Sequence, residues 1–306
     1  MHGTNTNDSR IITLDLKFLG FNGAIAAYLI PHASGAALVE CGPGSTIEAL
    51  EAGLAAHGYA FADITDVFLT HIHLDHAGAC GHLALYGARI HVHPVGAPHL
   101  RDPEKLLSSA NRIYGDQMER LWGEFLPVPE KQLSVLKDEE IVLVDSLSFQ
   151  AIETPGHADH HFVYLFEGVC FSGDIGGVRL AGVPHIRLPM PPPEFHLEKW
   201  RGSLERMRQL DFQRIAPTHF GLYADAGWHL DALSRELDTV QGWIEATLPA
   251  NPELDAITEQ YQAWMKSRST HDGIQSDQTN VFEITNPSWM SPLGIQRYWR
   301  KHRSGQ

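Results

Sequence analysis

The chain has 306 residues, 43% hydrophobic and 20% charged. These are proportions of a soluble globular protein with room for a sizeable core, and no apolar run is long enough to span a bilayer. Its 37 acidic against 23 basic residues give a formal charge of −14. That balance argues against sequence-independent nucleic-acid binding, which rests on Lys and Arg neutralising phosphates.

The polar start, MHGTNTNDSR, lacks the apolar stretch of a signal peptide, so residues 1–10 read as a flexible tail. Residues 26–44 read as two short strands around a turn, closed by glycines. Helical periodicity follows over 46–58. A buried strand over 64–70 then delivers the chain into THIHLDHAG, which places three histidines and an aspartate within six positions. DHAGACGHLALYG reads as helical and ARIHVHP as a strand. Residues 97–130 form a helical insert that carries Tyr114, Met118, Trp122 and Phe125.

Strands resume over 140–144, 149–154, 162–173 and 214–219. Between the last two lie a proline-rich loop, 178–195, with His185 and Arg187, and an amphipathic helix, 197–210. Two more helices are predicted over 225–268, within a C-terminal extension of 225–306. No clear period runs from Thr270 to Gln306, and the basic, aromatic RYWRKH near the end reads as a solvated or docked terminus. The order of elements predicts an α/β layered protein, without saying how its strands pair. Cys41, Cys80 and Cys170 have no paired spacing and read as small core residues, which makes a reducing cytoplasm the expected compartment.

His71 and His73 stand two apart in extended chain, so both imidazoles can reach one point. Asp75 and His76 follow where the chain turns helical, and a neighbouring cation suits them better than the same one. Three distant stretches add one ligand-type residue each at a strand's end. TPGHADHH carries His157, FSGDIGG carries Asp174, and APTHFG carries His219. Open α/β sheets place their sites at such ends.

In this order, Glu40-Cys41-Gly42, THIHLDH, TPGH, SGD and THFG resemble the five motifs of the metallo-β-lactamase-fold hydrolase superfamily, over about residues 11–222 (the catalytic domain would be 11–224). The resemblance implies an αββα sandwich of two mixed sheets with outer helices, with metal at one edge. It implies that His71, His73 and His157 hold a first cation. Asp75, His76 and His219 would hold a second, with Asp174 bridging. All seven positions carry the expected residue type.

Imidazole and carboxylate ligands suit two divalent ions, zinc first, with iron or manganese also compatible. The expected activity is hydrolysis of a small ester, lactone, thioester, amide or phosphodiester by a metal-bridging hydroxide. Asp75 and Asp174 are its catalytic carboxylates, and Asp75 is placed to accept a proton from the nucleophile. The partner implied is a small molecule, with no nucleic acid and no membrane.

Substrate-side candidates are Tyr114, Trp122, His185, Arg187 and Tyr223. The CGHEY of glyoxalase II is absent, and Asp174 is followed by IGGVR rather than the tyrosine of lactonases, for which Tyr223 is a substitute. His160 and His161 read as a second layer or core. The competing classes are an oxidoreductase, of the mononuclear-iron persulfide dioxygenase type, and a non-catalytic metal-binding protein. A relic site would have lost ligands, and this chain has lost none.

Overall fold

A computed structural model describes residues 10–183, 185–250 and 252–303; the expected tail, Arg10 apart, lies outside them. The described strands form two sheets. The first runs, in spatial order, β1 (Ile12–Asp15), β2 (Ala26–His32), β3 (Gly35–Val39), β4 (Ile64–Phe68), β5 (Arg89–Val92) and β6 (Leu133–Val135). Its first two pairings are antiparallel and the rest parallel. The second contains β7 (Ile141–Val144), β8 (Leu147–Glu153), β9 (Phe162–Phe166), β10 (Val169–Phe171) and β11 (Arg214–Ala216), antiparallel except for the parallel β10–β11 pair.

Period-two alternation decides which residues meet between the sheets. On β2 and β3, Ala26, Tyr28, Ile30, Ala37 and Val39 face inward, against Phe149, Phe162, Tyr164 and Phe171 of the second sheet. Phe68 stacks on Phe149 at 4.2 Å and meets Tyr164 edge-on at 5.2 Å. Each such aromatic contributes about 1.5–3 kcal/mol by leaving water. The intervening residues, Ala27, Leu29, Ala36 and Leu38, face the opposite way, into a separate cluster with helix α1 (Ile47–Ala56). The order is therefore helix, sheet, sheet, helix, an αββα sandwich.

The stretch read as one helix after the histidines is two, α2 (Leu74–Ala77) and α3 (Cys80–Leu85). The insert supplies α4 (Ala97–Arg101), α5 (Glu104–Tyr114) and α6 (Met118–Trp122). Helix α7 (Leu197–Arg208) buries Trp200, Leu204 and Met207 on the second sheet, at helical spacing. Helices α8 (Ala226–Thr247) and α9 (Leu254–His271) share that cluster and complete the outer layer.

The segment without a clear period also folds, into α10 (Ser276–Thr285) and α11 (Ser291–His302). Their anchors are few: Phe282 on α10, and Ile295 and Tyr298 on α11. That sparse pattern, broken by Pro287 and Pro292, hides the period. RYWRKH is docked, since the Tyr298 hydroxyl donates to Glu198 at 2.6 Å. The three cysteines are free and buried. No helix among the described residues is long and apolar enough to cross a membrane.

Candidate metal centre

Strands β8 and β10 both run antiparallel to β9, and β11 runs parallel to β10, so all three end at one edge of the second sheet. His157, Asp174 and His219 follow these ends. At the same edge, the Phe162 amide donates to the Thr70 carbonyl at 2.7 Å and the Ala26 amide to the Thr218 carbonyl at 2.9 Å. These bonds stitch the two sheets together where the histidine cluster leaves β4.

Three overlapping donor groups result: His71, His73 and His157; His71, His76 and Asp174; and Asp75, His76 and His219. Within each group, one ligand atom per residue lies within 4.8 Å of the others. His73 Nδ1 is 2.9 Å from both His71 Nε2 and His157 Nε2. Asp174 Oδ2 is 3.3 Å from His157 Nε2, while Oδ1 is 3.3 Å from His76 Nε2 and 3.4 Å from His219 Nε2. Asp75 Oδ2 lies 3.4 Å from His219 Nε2.

The donors fit a cation, because four of the five histidines turn their far sides to polar groups. His157 Nδ1 donates to the Pro189 carbonyl and His219 Nδ1 to the Ala24 carbonyl, each at 2.8 Å. Those bonds leave the Nε2 lone pairs aimed at the cluster. His76 Nδ1 faces Glu40 Oε1 at 3.3 Å, and His71 Nδ1 is 3.0 Å from the Thr70 hydroxyl. Glu40 is buried beneath the centre, with its backbone in the left-handed region at φ 66°. Gly173, before Asp174, is also left-handed at φ 49°, and a Cβ there would lie 2.5 Å from Thr70 Oγ1. Asp174 Oδ1 and His76 Nε2 are buried without a hydrogen-bond partner, as expected of ligand atoms, while His76 Nδ1 has the ion-pair contact with Glu40 and no hydrogen bond.

Electrostatics favour positive charge at this point. Burial and the charges of its histidine neighbours push His71 well below the usual histidine range, and burial with His157 brings His73 down to about 3. Burial also lowers His157. All three offer free lone pairs. Burial acts against the charged forms of His76 and His219 too, yet the Asp75 and Asp174 carboxylates outweigh it and raise both. Reciprocally, burial raises the two carboxylates, but His76 and the other histidines overcome it. They hold Asp174 well below the usual carboxylate range and Asp75 at about 2. An anionic pair surrounded by imidazoles is a divalent-cation donor set.

A cavity of about 640 Å³ opens over His73, Asp75, His157, Asp174 and His219. Its opposite wall comes from the insert, including Tyr114 and Trp122, from Pro189–Pro193, and from residues 283–287, 289 and 290. Tyr114 and Trp122, two of the substrate-side candidates, thus line the cavity.

The other three substrate-side candidates do not line it, which corrects the reading of them as substrate contacts. His185 bonds Asp272 at 2.7 Å. Arg187 bonds Glu283 at 2.7 Å and Ser269 at 2.9 Å. Tyr223 donates to the Arg179 carbonyl at 2.7 Å and lies beneath the Arg179 guanidinium. Their partners belong to parts of the chain whose docking no local pattern announces. His161 packs behind His71 and His157. His160 reaches the cavity, with Nε2 3.4 Å from Glu194.

Sequence reasoning missed Phe18, Leu19, Ile284, Trp289 and Met290 as cavity residues. Trp289 and Met290, two large apolar residues in a stretch with no helical face of its own, were the available signal.

Among relatives, the metallo-beta-lactamase fold-containing protein ST1585 of Sulfurisphaera tokodaii is 28% identical over 191 residues, 60% of this chain and 72% of that protein. Its crystal structure superposes with a TM-score of 0.65 at 17% identity, covering 94% of this chain and 98% of that one. A probable metallo-hydrolase, YqjP of Bacillus subtilis, is 26% identical over 226 residues, 64% of this chain and 67% of YqjP. The atrochrysone carboxyl ACP thioesterase of Aspergillus fumigatus is 31% identical over 196 residues, 63% of this chain and 49% of that protein. The family model described as the metallo-beta-lactamase superfamily matches residues 20–219. With the αββα sandwich and its edge of histidines and aspartates, that match makes the chain a member of the metallo-β-lactamase superfamily.

Proposed function

We propose that the chain is a hydrolase of small esters, thioesters, lactones, amides or phosphodiesters that works with two divalent cations, zinc foremost. The observation that carries this reading is Asp174. Its two oxygens face different donor groups, Oδ2 toward His157 and Oδ1 toward His76 and His219. A carboxylate so placed suits a bridge between a site of His71, His73 and His157 and a site of Asp75, His76 and His219.

Divalent cations bound there supply Lewis acidity and a water of lowered pKa. The chain's own groups do the rest. The carbonyls of Pro189 and Ala24 fix the tautomers of His157 and His219. Glu40 orients His76 and accepts from the Thr70 and Thr218 hydroxyls. Asp75, anionic and at the cavity face, is placed to take the proton of an attacking water. The fungal relative's name as an ACP thioesterase supports an acyl substrate.

The test is metal per chain by elemental analysis, with hydrolysis measured before and after chelation. The wild type should hold two equivalents and Asp75→Ala one, and chelation should abolish turnover until metal is restored. One equivalent in both proteins would favour the mononuclear oxidoreductase reading. Full turnover by metal-free protein would sink the proposal.

A further inference from the structure

The cavity is much larger than the bond to be cleaved requires, and its far wall is mainly apolar, with Lys105, Ser109, Gln117 and Arg120 also on it. Leu106, Ala110, Ile113 and Tyr114 recur at positions 0, 4, 7 and 8 of α5, so one helical stripe lines it. Trp289 and Met290 close it from the C-terminal side. A volume of about 640 Å³ is of the order that encloses a drug-sized ligand, not a two-carbon acyl group.

Within this apolar wall stands one phenol. Two rings hold it, and a third backs them: Tyr114 meets Trp122 edge-on at 5.0 Å and Trp289 at 6.1 Å, and Trp122 stacks on Phe18 at 5.8 Å. Among the described residues, its hydroxyl has one hydrogen-bond partner, the Met290 thioether at 3.6 Å. A thioether is a poor acceptor, so the donor is positioned but scarcely used. Burial, reinforced by the charge of Asp75, raises the Tyr114 phenol well above its usual range, so it keeps its proton. It lines the same cavity as His73, Asp75 and Asp174, across from them.

Resting on the hydrolase reading above, we infer that the substrate is an ester or thioester with a long or bulky apolar acyl group, which lies against α5 and the 284–290 segment, and that Tyr114 donates a hydrogen bond to its carbonyl oxygen. In the reaction, water oxygen forms the new bond to the acyl carbon and the acyl–oxygen or acyl–sulfur bond breaks. The departing alcohol or thiol takes up the proton that water gives up. Tyr114 keeps its own proton throughout and stabilises the negative charge that grows on the carbonyl oxygen.

The experiment has two arms. In the first, metal-loaded protein is assayed with p-nitrophenyl esters and N-acetylcysteamine thioesters of straight-chain acids from two to twelve carbons. We expect kcat/KM to rise about three- to fourfold per methylene until the cavity fills. Tyr114→Phe, which keeps the ring, should lower kcat on the order of 10²-fold with KM and metal content little changed. Ile113→Trp should move the optimum to shorter chains.

In the second arm, the same proteins are titrated with the corresponding carboxylates and read by tryptophan fluorescence. Affinity should tighten with chain length and weaken severalfold in Tyr114→Phe. Length-dependent carboxylate binding without any hydrolysis would remove the hydrolase reading and keep the cavity assignment. Hydrolysis that is indifferent to acyl length, or a Tyr114→Phe variant equal to wild type in both arms, would overturn the inference and leave the hydrolase reading standing.

Discussion

The floor and the roof of the cavity are built on different physical principles. On the floor, four of the five histidines, all but His73, face a polar group on the far side of the ring: the Pro189 and Ala24 carbonyls, Glu40, and Thr70. Charge and hydrogen bonding fix those positions within a buried, two-sheet edge. On the roof, Phe18, Trp122, Tyr114 and Trp289 hold one another by ring contacts.

A few polar anchors tie the roof down, and Asn286 among them lines the cavity itself. Ser45 donates to the Leu121 carbonyl at 2.6 Å, and Asn286 to the Leu188 carbonyl at 3.1 Å. Arg187, which does not line the cavity, secures Glu283, which does. The floor is specified residue by residue, whereas the roof, the Tyr114 hydroxyl apart, needs mainly apolar bulk of the right shape. Chemistry should therefore fail when the floor or the Tyr114 hydroxyl changes, and selectivity should drift when the rest of the roof does.

The sharpest way to break this contrast is Asp174→Ala, which removes the one carboxylate that faces both donor groups. Turnover should fall on the order of 10³-fold or more, several kcal/mol at about 1.4 kcal/mol per decade, with metal lost on elemental analysis. Glu40→Gln probes the layer beneath, leaving every donor in place but removing the charge behind His76. Metal affinity should fall about 10- to 100-fold in a competition titration with a chromogenic chelator. If Glu40→Gln binds metal as wild type does, the floor is less tightly specified than argued.

Roof changes should act differently. Trp122→Ala should cost about 3 kcal/mol in chemical denaturation, because it opens a cavity among Phe18 and Tyr114. Metal content should persist while the ranking of esters changes severalfold. Loss of metal in a folded Trp122→Ala protein would erase the distinction between floor and roof. The smallest effect belongs to Tyr223→Phe. It removes one bond to the Arg179 carbonyl, worth about 1 kcal/mol of stability, and should leave the ranking and rate of hydrolysis unchanged.

The contrast also tracks what was legible in the amino-acid order. The seven donor positions fall in short motifs after strands, because a side chain at a strand end needs only the local turn to aim it. The strands themselves announce their faces by alternation, as 26–39 does. Strands β1 and β6 are four and three residues long and escaped notice, since so short a run carries almost no period.

His185, Arg187 and Tyr223 look from sequence like free polar groups in loops, and only their distant partners, Asp272, Glu283 and Arg179, reveal them as anchors. The sequence by itself determined the donor chemistry and the alternation that layers the two sheets, because both are encoded within a few neighbouring residues. The tertiary structure alone decided the cavity. Its roof joins residues near 18, 114, 190 and 290, and the free energy that brings them together is non-directional apolar burial, which leaves no spacing in the chain to read.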